Sequence, residues 1–396
     1  METTLEKDLI MGISIEEIEH FKDLAVQFSK KTLSPMFEGE YSDGNLDMLP
    51  DILNTAFEIG LASSPKAAMA GSEYGIWGKL TDSGGLISSI ELLMILAETC
   101  GGTAMCLHAQ GVASNLLLCA DKELPSNPTK ASLCFQEGIK PPYCGTIFSP
   151  DENLPASIIS TAVSTKDGYE INGTKSFVYS MENPDVYVVL ARIDKEWGCF
   201  AVPADTRGVS VQDAGHRTGL RACSVNHVNF NSVSVPADHR VDNGNALQLV
   251  TRAMCLNWIG MSAIAVGIAK GAVAKAREYA AERYQGGCRI EEHAAIKILI
   301  GDSEARAIAA EYIVRQLKNI DLSSPGSIKA CAAAKTICME LSAGAATDTL
   351  QSFGGYGYME DFGMEKKLRD VTVLKSSAGS PDYLKQLIFD LGKREN

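Results

Sequence analysis

The chain has 396 residues, of which 45% are hydrophobic and 21% are charged, and its formal net charge is −13. This composition predicts a globular protein with a sizeable core, and the acidic balance disfavours nucleic acid or an anionic membrane surface as a partner. The 11 cysteines include no C-x-x-C pair, so we expect reduced thiols in a cytoplasmic protein. The N-terminus is too polar and acidic for a signal peptide. The sequence contains no uninterrupted run of about 18 apolar residues, so we expect no membrane span.

The first third of the chain, from Ile15 to about Lys140, has the apolar periodicity of helices. In the stretch IEEIEHFKDLAVQFSKKTL the apolar residues recur every three or four positions, which predicts a helix with one buried stripe. A later stretch, GGLISSIELLMILAETCGGTAMCLHAQGVASNLLLCA, is apolar on nearly every side. It predicts a pair of buried helices with a break near Gly101 and Gly102.

Strand signals replace the helical periodicity between about Tyr143 and Pro236. Short β-rich runs follow one another there, and the Asp-Gly pair at 167–168 and the Asn-Gly pair at 172–173 are strong turn signals. No convincing helix interrupts this block, which favours hairpins over βαβ units. After about Asn243 the helical periodicity returns, in segments whose alanine and glycine content suits closely packed helices.

Several common motifs of catalysis are missing from the sequence. It contains neither a G-x-x-x-x-G-K-[ST] phosphate loop, nor a G-x-G-x-x-G between a strand and a helix, nor a G-x-S-x-G elbow. The six histidines are dispersed and have no metal-ligand spacing. The sequence therefore predicts no metal site.

Three stretches resemble the signatures of one enzyme family. DGYEINGTKSFVYSMENPDVYVVLARI, at 167–193, resembles G-x-x-I-N-G-x-K-x-[WF]-I-T-N. AAERYQGGCRIEEHAAIK, at 280–297, resembles E-R-x-Q-F-G-x-x-I before a helix, and QSFGGYGYMEDFGMEKKLRD, at 351–370, is close to Q-x-F-G-G-x-G-Y followed by an R-D pair. With the chain length and the helix–strand–helix order, they resemble the acyl-CoA dehydrogenase family across essentially the whole chain.

The resemblance implies an α+β multidomain fold. It comprises an N-terminal helical domain at 1–142, a central antiparallel β-barrel-like domain at 143–241 and a C-terminal four-helix bundle at 242–396. The implied activity is that of an FAD-dependent acyl-CoA oxidoreductase, in which a carboxylate removes the α-proton of the thioester while the β-hydrogen leaves as hydride to the flavin. An electron-transfer flavoprotein or a similar acceptor is implied as a partner.

The resemblance also implies which residues contact FAD. Arg283 and Gln285 resemble residues that reach the FAD of a neighbouring subunit, which implies a homotetramer built as a dimer of dimers. Glycines between two helices let backbone amides approach a diphosphate closely. The residues expected at FAD are Phe148, Tyr179, Ser180, Arg283, Gln285, Gln351, Gly354, Gly355 and Ser380. Phe148 and Tyr179 replace two threonines of the family that hydrogen-bond the flavin, so this aromatic pair either stacks on the ring or fills its space.

Neither position at which the family carries its base holds a carboxylate in this chain. Most members place a glutamate eight residues after the R-D pair, where this chain has Ala378. A minority carry the base on the long helix after the β-domain, and counting back from Arg283 places that site at Asn257. Alanine and asparagine cannot take a proton, so we expect ordinary α-proton abstraction to be absent.

Three other residues are candidates for the base. The resemblance implies that the helix containing His108 lines the acyl pocket with His108 facing the acyl chain, and the ordinary pKa of a histidine, about 6.5, suits proton transfer. Glu91 and Glu98 lie seven residues apart on one helical segment, and a carboxylate buried there would have a raised pKa. Each also has a structural interpretation, a core histidine or an exposed helix edge. A base in the acyl pocket would act further along the substrate, for example in the 1,4-desaturation of a cyclic or unsaturated acyl-CoA.

Three functions therefore remain open. The first is an FAD-dependent acyl-CoA oxidoreductase with non-standard proton chemistry. The second is a flavoprotein of the same fold that catalyses elimination or oxygenation on a thioester. The third is a catalytically degenerate subunit that forms a heteromer with an active paralogue and completes the FAD site of that paralogue. A flavin spectrum of the purified chain separates the third function from the other two.

Overall fold

The structure is a computed structural model that describes most of the chain. Two α-helical regions flank a β-sheet, in the order that the sequence predicts. The described residues are 9–10, 13–37, 43–65, 75–78, 81, 85–120, 128–137, 158–324 and 326–392. The predicted boundary between residues 142 and 143 lies outside them, and the predicted boundary at 242 lies shortly before a long helix begins at Ala246.

The N-terminal part is helical after a short antiparallel pairing of two strands. Its elements are β1 (Leu9–Ile10), β2 (Ile13–Ser14), α1 (Ile15–Phe28), α2 (Leu49–Glu58), α3 (Gly85–Thr99) and α4 (Gly101–Cys119). Glutamates in the first turn of α1 complement the positive end of the helix dipole. Helix α3 ends at Thr99 and α4 begins at Gly101, which confirms the predicted break.

The central part is a mixed sheet. Its strands are β3 (Ala131–Cys134), β4 (Thr161–Ser164), β5 (Gly168–Ser180), β6 (Val186–Ile193), β7 (Glu196–Pro203), β8 (Val209–Asp213) and β9 (Ser224–Pro236). The strand order is β3-β6-β4-β5-β9-β8, with β7 paired to β6. Within the described residues the sheet does not close into a barrel, and β6 pairs in parallel with β3 and β4. The prediction of an antiparallel barrel-like domain was wrong in these two respects, because parallel pairing joins segments distant in sequence and leaves no turn signal.

Strand β6 connects two cores. Its alternate residues Tyr187 and Val189 belong to the core within the sheet, whereas Val186 and Val188 belong to the core shared with the helices. Successive side chains of a strand point to opposite faces, so both faces of β6 are buried. The sheet is thereby fixed against the helices, and the candidate site lies along this contact.

The C-terminal part is again helical. Its elements are α5 (Ala246–Glu282), β10 (Tyr284–Gln285), β11 (Cys288–Arg289), α6 (Ala294–Gln316), α7 (Ser327–Ser352), α8 (Met364–Ser376) and α9 (Pro381–Gly392). Helix α7 packs against α5, α6, α8 and α9 and lies at the centre of the described helices of this part. Of the described helices, α5 alone is long and apolar enough to cross a membrane, but 83% of its most apolar window is buried inside the protein.

Glycine explains how closely α5 approaches α3. A Cβ atom on Gly267 would lie 2.2 Å from the carbonyl oxygen of Met94, and one on Gly271 would lie 2.3 Å from that of Glu98. Any larger residue would therefore separate the two helices. The glycine-rich composition that the sequence shows is a packing requirement at these positions.

Candidate functional site

A small cavity lies where α4, α5, β5 and the turn after α8 meet. The described residues enclose about 60 Å³, whereas pockets for cofactors and other small molecules usually measure about 300–1,000 Å³. The polar side chains that line it are Gln136, Tyr179 and Asn257, and the others are apolar or small. The described lining consists of Met105, Ala109, Val112, Leu133, Phe135, Gln136, Phe177, Val178, Tyr179, Met254, Asn257, Met261 and Ala378.

The two positions at which a base is expected face this one cavity. Asn257 lines it from α5, and Ala378 lines it from the turn after α8. The described lining contains no aspartate, glutamate, histidine, lysine or arginine. Its titratable group is Tyr179, and burial raises the pKa of that phenol to about 12. None of the described lining residues is therefore a base at neutral pH.

The turn that carries Ala378 is held by buried donors. Ala378 has a φ of +48°, in the left-handed region that costs a non-glycine residue about 1–2 kcal/mol. Trp258 Nε1 donates to the carbonyl oxygen of Ala378 at 2.7 Å, and Lys335 Nζ donates to those of Ser377 and Gly379 at 2.5 and 2.8 Å. Three successive carbonyls are thus satisfied. The turn is well anchored although its central side chain has no proton to exchange.

Tyr179 closes the cavity at the sheet side. Its hydroxyl lies 2.8 Å from Ser377 Oγ, and Ser377 Oγ in turn donates to the carbonyl oxygen of Val373 at 2.9 Å. Since the serine hydrogen is used there, Tyr179 is the donor in the first contact. The Tyr179 side chain therefore spans from β5 to the turn that carries Ala378.

Ser180 and Ser380, which are also expected at the flavin, make hydrogen bonds within the protein. Ser180 is buried, and its carbonyl oxygen accepts from the thiols of Cys106 and Cys223 at 3.5 and 3.7 Å. Ser380 Oγ accepts from the backbone N–H of Tyr383 at 3.3 Å, which caps the start of α9. Phe148 lies outside the described residues.

His108 is fully buried behind the cavity wall. Trp77 Nε1 donates to His108 Nδ1 at 2.8 Å, so the neutral ring carries its hydrogen on Nε2. Burial lowers the pKa of His108 to about 3, and a contact with Asn257 partly opposes that effect. The ring is neutral at physiological pH, and its basic nitrogen is already occupied, so this geometry gives His108 no role as a base.

The two candidate glutamates lie in ion pairs away from the cavity. Glu91 is buried and accepts a two-pronged contact from Arg315 of α6, with 3.0 Å between Nη2 and Oε2. Glu98 lies 3.4 Å from the ammonium group of Lys270. Neither carboxylate is among the residues that line the cavity. The structure gives both a role in joining helices.

The remaining residues expected at FAD form a second, exposed group. Arg283 places its guanidinium carbon 5.1 Å from the centre of the Tyr356 ring, in the 3-10 turn Gly354–Tyr358. Gln285 and Gln351 are exposed. A Cβ atom on Gly354 or Gly355 would meet no other atom within 4 Å. Within the described structure, the buried Arg283 Nε has no hydrogen-bond partner, so this edge can accept an anionic group.

The two regions differ in what they offer to FAD. The open glycine turn and the unpaired Nε of Arg283 suit a diphosphate. Beside Tyr179 the described residues leave a volume of about 60 Å³ in this arrangement. The aromatic substitution at residue 179 thus fills space at the sheet side of the cavity.

Sequence reasoning missed Lys335, Trp258 and Trp77. Lys335 was detectable, since it lies on the buried stripe of α7 that includes Cys331 and Cys338, where a lysine needs a specific partner. The contacts of the two tryptophans link residues too far apart in sequence for periodicity to reveal them.

Comparison with known proteins shows what the chain is similar to. Two family models match it, "Acyl-CoA dehydrogenase, middle domain" over residues 150–233 and "Acyl-CoA dehydrogenase, C-terminal domain" over residues 247–390. The short-chain-specific acyl-CoA dehydrogenase of Clostridium acetobutylicum is 26% identical over 328 residues, which cover 80% of this chain and 83% of the relative.

Solved structures have the same fold. Butyryl-CoA dehydrogenase from Megasphaera elsdenii superposes with a TM-score of 0.75 at 21% identity, covering 98% of this chain and 100% of that chain. An acyl-CoA dehydrogenase from Bacillus anthracis, solved in complex with FAD, superposes with a TM-score of 0.76 at 19% identity, covering 98% of this chain and 68% of that chain.

Proposed function

Because the chain belongs to the acyl-CoA dehydrogenase family, we propose that it is an FAD-dependent acyl-CoA oxidoreductase with non-standard proton chemistry. The observation that supports this proposal is the shared cavity of Ala378 and Asn257, whose described lining holds no carboxylate. A positioned general base contributes about 10²–10⁴-fold to the rate of such a reaction. We therefore expect saturated straight-chain acyl-CoAs to reduce the flavin only slowly.

The roles of the chain's own residues follow from their positions. FAD, when bound, supplies the hydride acceptor. Arg283, Gln285, Gln351 and the glycine turn would hold its diphosphate side, where the guanidinium Nε is unpaired. The apolar lining of the cavity excludes water from the acyl group. Tyr179 lines the cavity and would either stack on the flavin ring or fill part of its space.

Stopped-flow measurement of flavin reduction tests this proposal. Butyryl-, octanoyl- and cyclic acyl-CoAs are mixed with the wild type, with Ala378→Glu and with Ala378→Gln, which has the size of glutamate but no acidic group. We expect Ala378→Glu alone to accelerate reduction by butyryl-CoA. Rapid reduction of the wild type by a saturated straight chain would show that a base is present, and would contradict the proposal.

A second candidate function is that of a degenerate subunit that completes the FAD site of an active paralogue. The Tyr179–Ser377 contact across the chain's own cavity favours it, as does the exposed edge around Arg283. The two candidates differ in one measurement, the flavin content of the chain purified alone. This second function is supported if the chain purified alone contains no flavin and if flavin is recovered when a paralogous chain is co-expressed.

We also propose that the protein forms an oligomer. Apolar side chains on α6 that are exposed in the single chain, among them Ile298 at 71% and Tyr312 at 66%, support an interface along this helix. A homotetramer built as a dimer of dimers is the proposed state, with a heteromer as the alternative, in a cytoplasmic setting and with an electron-transfer flavoprotein as acceptor. A stable monomer in light scattering would contradict the oligomer.

A further inference from the structure

The side chain of Lys335 is buried against the turn that carries Ala378. It belongs to α7 and is fully buried, and its Nζ donates to the carbonyl oxygens of Ser377 and Gly379 at 2.5 and 2.8 Å. Burial of an amino group costs free energy unless its hydrogens are bonded. The two contacts satisfy Lys335 and at the same time fix the direction in which both carbonyls point.

The direction of a carbonyl determines that of the next N–H group. In a trans peptide the C=O bond of one residue and the N–H bond of the next lie in one plane and point in opposite directions. Since the carbonyl of Ser377 points to Lys335, the N–H of Ala378 points away from it. Helix α7 contributes no residue to the described lining of the cavity, whereas Ala378 belongs to that lining. The N–H of Ala378 is therefore directed to the cavity side of the turn.

This N–H group is available to a ligand, and the backbone that presents it is strained. Among the described residues the N–H of Ala378 has no hydrogen-bond acceptor. Ala378 has a φ of +48°, and residues held in such a conformation often lie at functional sites. Trp258 Nε1 donates to the carbonyl oxygen of Ala378 at 2.7 Å. Two buried side chains that do not line the cavity thus hold the turn in this conformation.

We propose that Lys335 is a positioning residue, which directs the N–H of Ala378 towards the carbonyl oxygen of a bound acyl thioester. The inference rests on the proposed function, since it requires a thioester in this cavity. A donor that is oriented before the ligand binds polarises the carbonyl without reorganisation. Trp258 acts on a different peptide, because the carbonyl of Ala378 is joined to the N–H of Gly379, and Gly379 is not among the described lining residues. Lys335 and Trp258 therefore have different effects on the bound carbonyl.

Isothermal titration of the full-length protein with two ligands tests this role. Butyryl-CoA carries the thioester carbonyl, and S-butyl-CoA is the matched thioether with a methylene group in its place. We expect Lys335→Met to lower the ratio of the affinity for butyryl-CoA to that for S-butyl-CoA about fivefold. Trp258→Phe, which removes a different donor from the same turn, should leave this ratio unchanged. Because a ratio is compared, a general loss of binding affects both ligands and cancels.

Isotope-edited infrared spectroscopy gives a readout that does not depend on a stable variant. With butyryl-CoA labelled with carbon-13 at the carbonyl, we expect the wild type to shift the carbonyl band to a lower wavenumber than in buffer. Lys335→Met should lose most of that shift. Lys335→Gln keeps a side-chain donor and should give a shift and an affinity ratio between those of Lys335→Met and the wild type.

The outcomes distinguish the inference from the proposed function. A carbonyl band of the wild type at its wavenumber in buffer, or an affinity ratio that is unchanged in Lys335→Met, overturns the inference and leaves the proposed function standing. An equal fall of the ratio in Lys335→Met and Trp258→Phe shows a general loosening of the turn, which also overturns the inference. Failure of both CoA compounds to bind to the wild type overturns the proposed function and the inference together.

Discussion

The hydroxyl of Tyr179 donates to Ser377 Oγ at 2.8 Å and ties β5 to the turn that carries Ala378. The direction of this hydrogen bond is defined, because Ser377 Oγ donates its own hydrogen to the carbonyl oxygen of Val373. The contact crosses the region where sequence resemblance places the flavin ring. The bulk of Tyr179 and the absence of a carboxylate at 378 are therefore features of one cavity wall.

We predict that Tyr179→Thr increases the FAD bound per chain, because it removes the ring that fills the cavity. Tyr179→Phe is the matched control, since it keeps the ring and loses only the hydroxyl. It should leave FAD content unchanged and lower the free energy of unfolding by about 1 kcal/mol. Absorbance spectra after reconstitution with FAD and desalting provide the measurement. An equal gain of FAD in both variants would assign the effect to the hydrogen bond instead of the ring volume.

The pKa of Lys335 predicts a specific pH dependence of stability. Burial lowers this pKa to about 7, whereas a lysine in the unfolded chain has a pKa of about 10.4. Between these values the unfolded state binds more protons, so the contribution of Lys335 to stability rises with pH, by at most about 1.4 kcal/mol per pH unit. Below pH 7 both states are protonated and the contribution is constant.

Urea unfolding of the wild type and of Lys335→Met between pH 6 and pH 8.5 checks this prediction. The difference in unfolding free energy between the two proteins should grow in favour of the wild type above pH 7. Both proteins contain the same cysteines, so the contribution of these thiols to the pH dependence of stability cancels in the difference. Lys385→Met, which removes a surface partner of Glu340, is the control. A difference that does not vary with pH would show that Lys335 keeps an ordinary pKa.

We predict that Glu91→Gln lowers stability and leaves any turnover intact. The buried carboxylate joins α3 to Arg315 of α6, and loss of a charged hydrogen-bond pair costs about 1–3 kcal/mol. Glu98→Gln is the comparison, because the Glu98–Lys270 pair is longer and more exposed and should be worth less than about 1 kcal/mol. Thermal unfolding and flavin reduction are measured together. Lost turnover at unchanged stability would identify Glu91 as the missing base.

We predict that Arg283→Met weakens FAD binding by the assembled oligomer several-fold. The unpaired Nε of Arg283 and its position over Tyr356 provide a charged donor at the glycine turn. Arg289→Met is the matched control, since Arg289 is an exposed arginine of β11 in the same hairpin. FAD titration monitored by flavin fluorescence gives the two affinities. Equal affinities would remove Arg283 from the cofactor site.

Local patterns predict much of the architecture. The break at Gly101 and Gly102 is visible because glycines interrupt an apolar run, and the Asp-Gly pair at 167–168 marks the turn before β5. The prediction of a turn at the Asn-Gly pair 172–173 was wrong, because this pair lies inside β5, at a bulge in the pairing with β9. The parallel pairing of β3 with β6 is different. It depends on a long connection and on burial of both faces of β6, neither of which a local window contains.

In the candidate site, too, local sequence predicts some features and not others. Ala378 and Asn257 could be located by counting from motifs, and they do line one cavity. The environment of His108 could not, because its tautomer is set by Trp77, 31 residues away. The closure by Tyr179 depends on a contact between residues 198 positions apart. A residue type can therefore be read from the sequence, whereas its partner and its protonation state require the fold.

Deuterium exchange at the α-carbon of butyryl-CoA tests the central claim, that no base faces the thioester, most directly. The protein is incubated with butyryl-CoA in D₂O, and the α-proton signal is followed by NMR, which requires neither an electron acceptor nor net oxidation. We predict that the wild type and Ala378→Gln incorporate deuterium no faster than buffer alone, while Ala378→Glu incorporates it measurably faster. Deuterium incorporation by the wild type at a rate well above that of buffer would contradict the account.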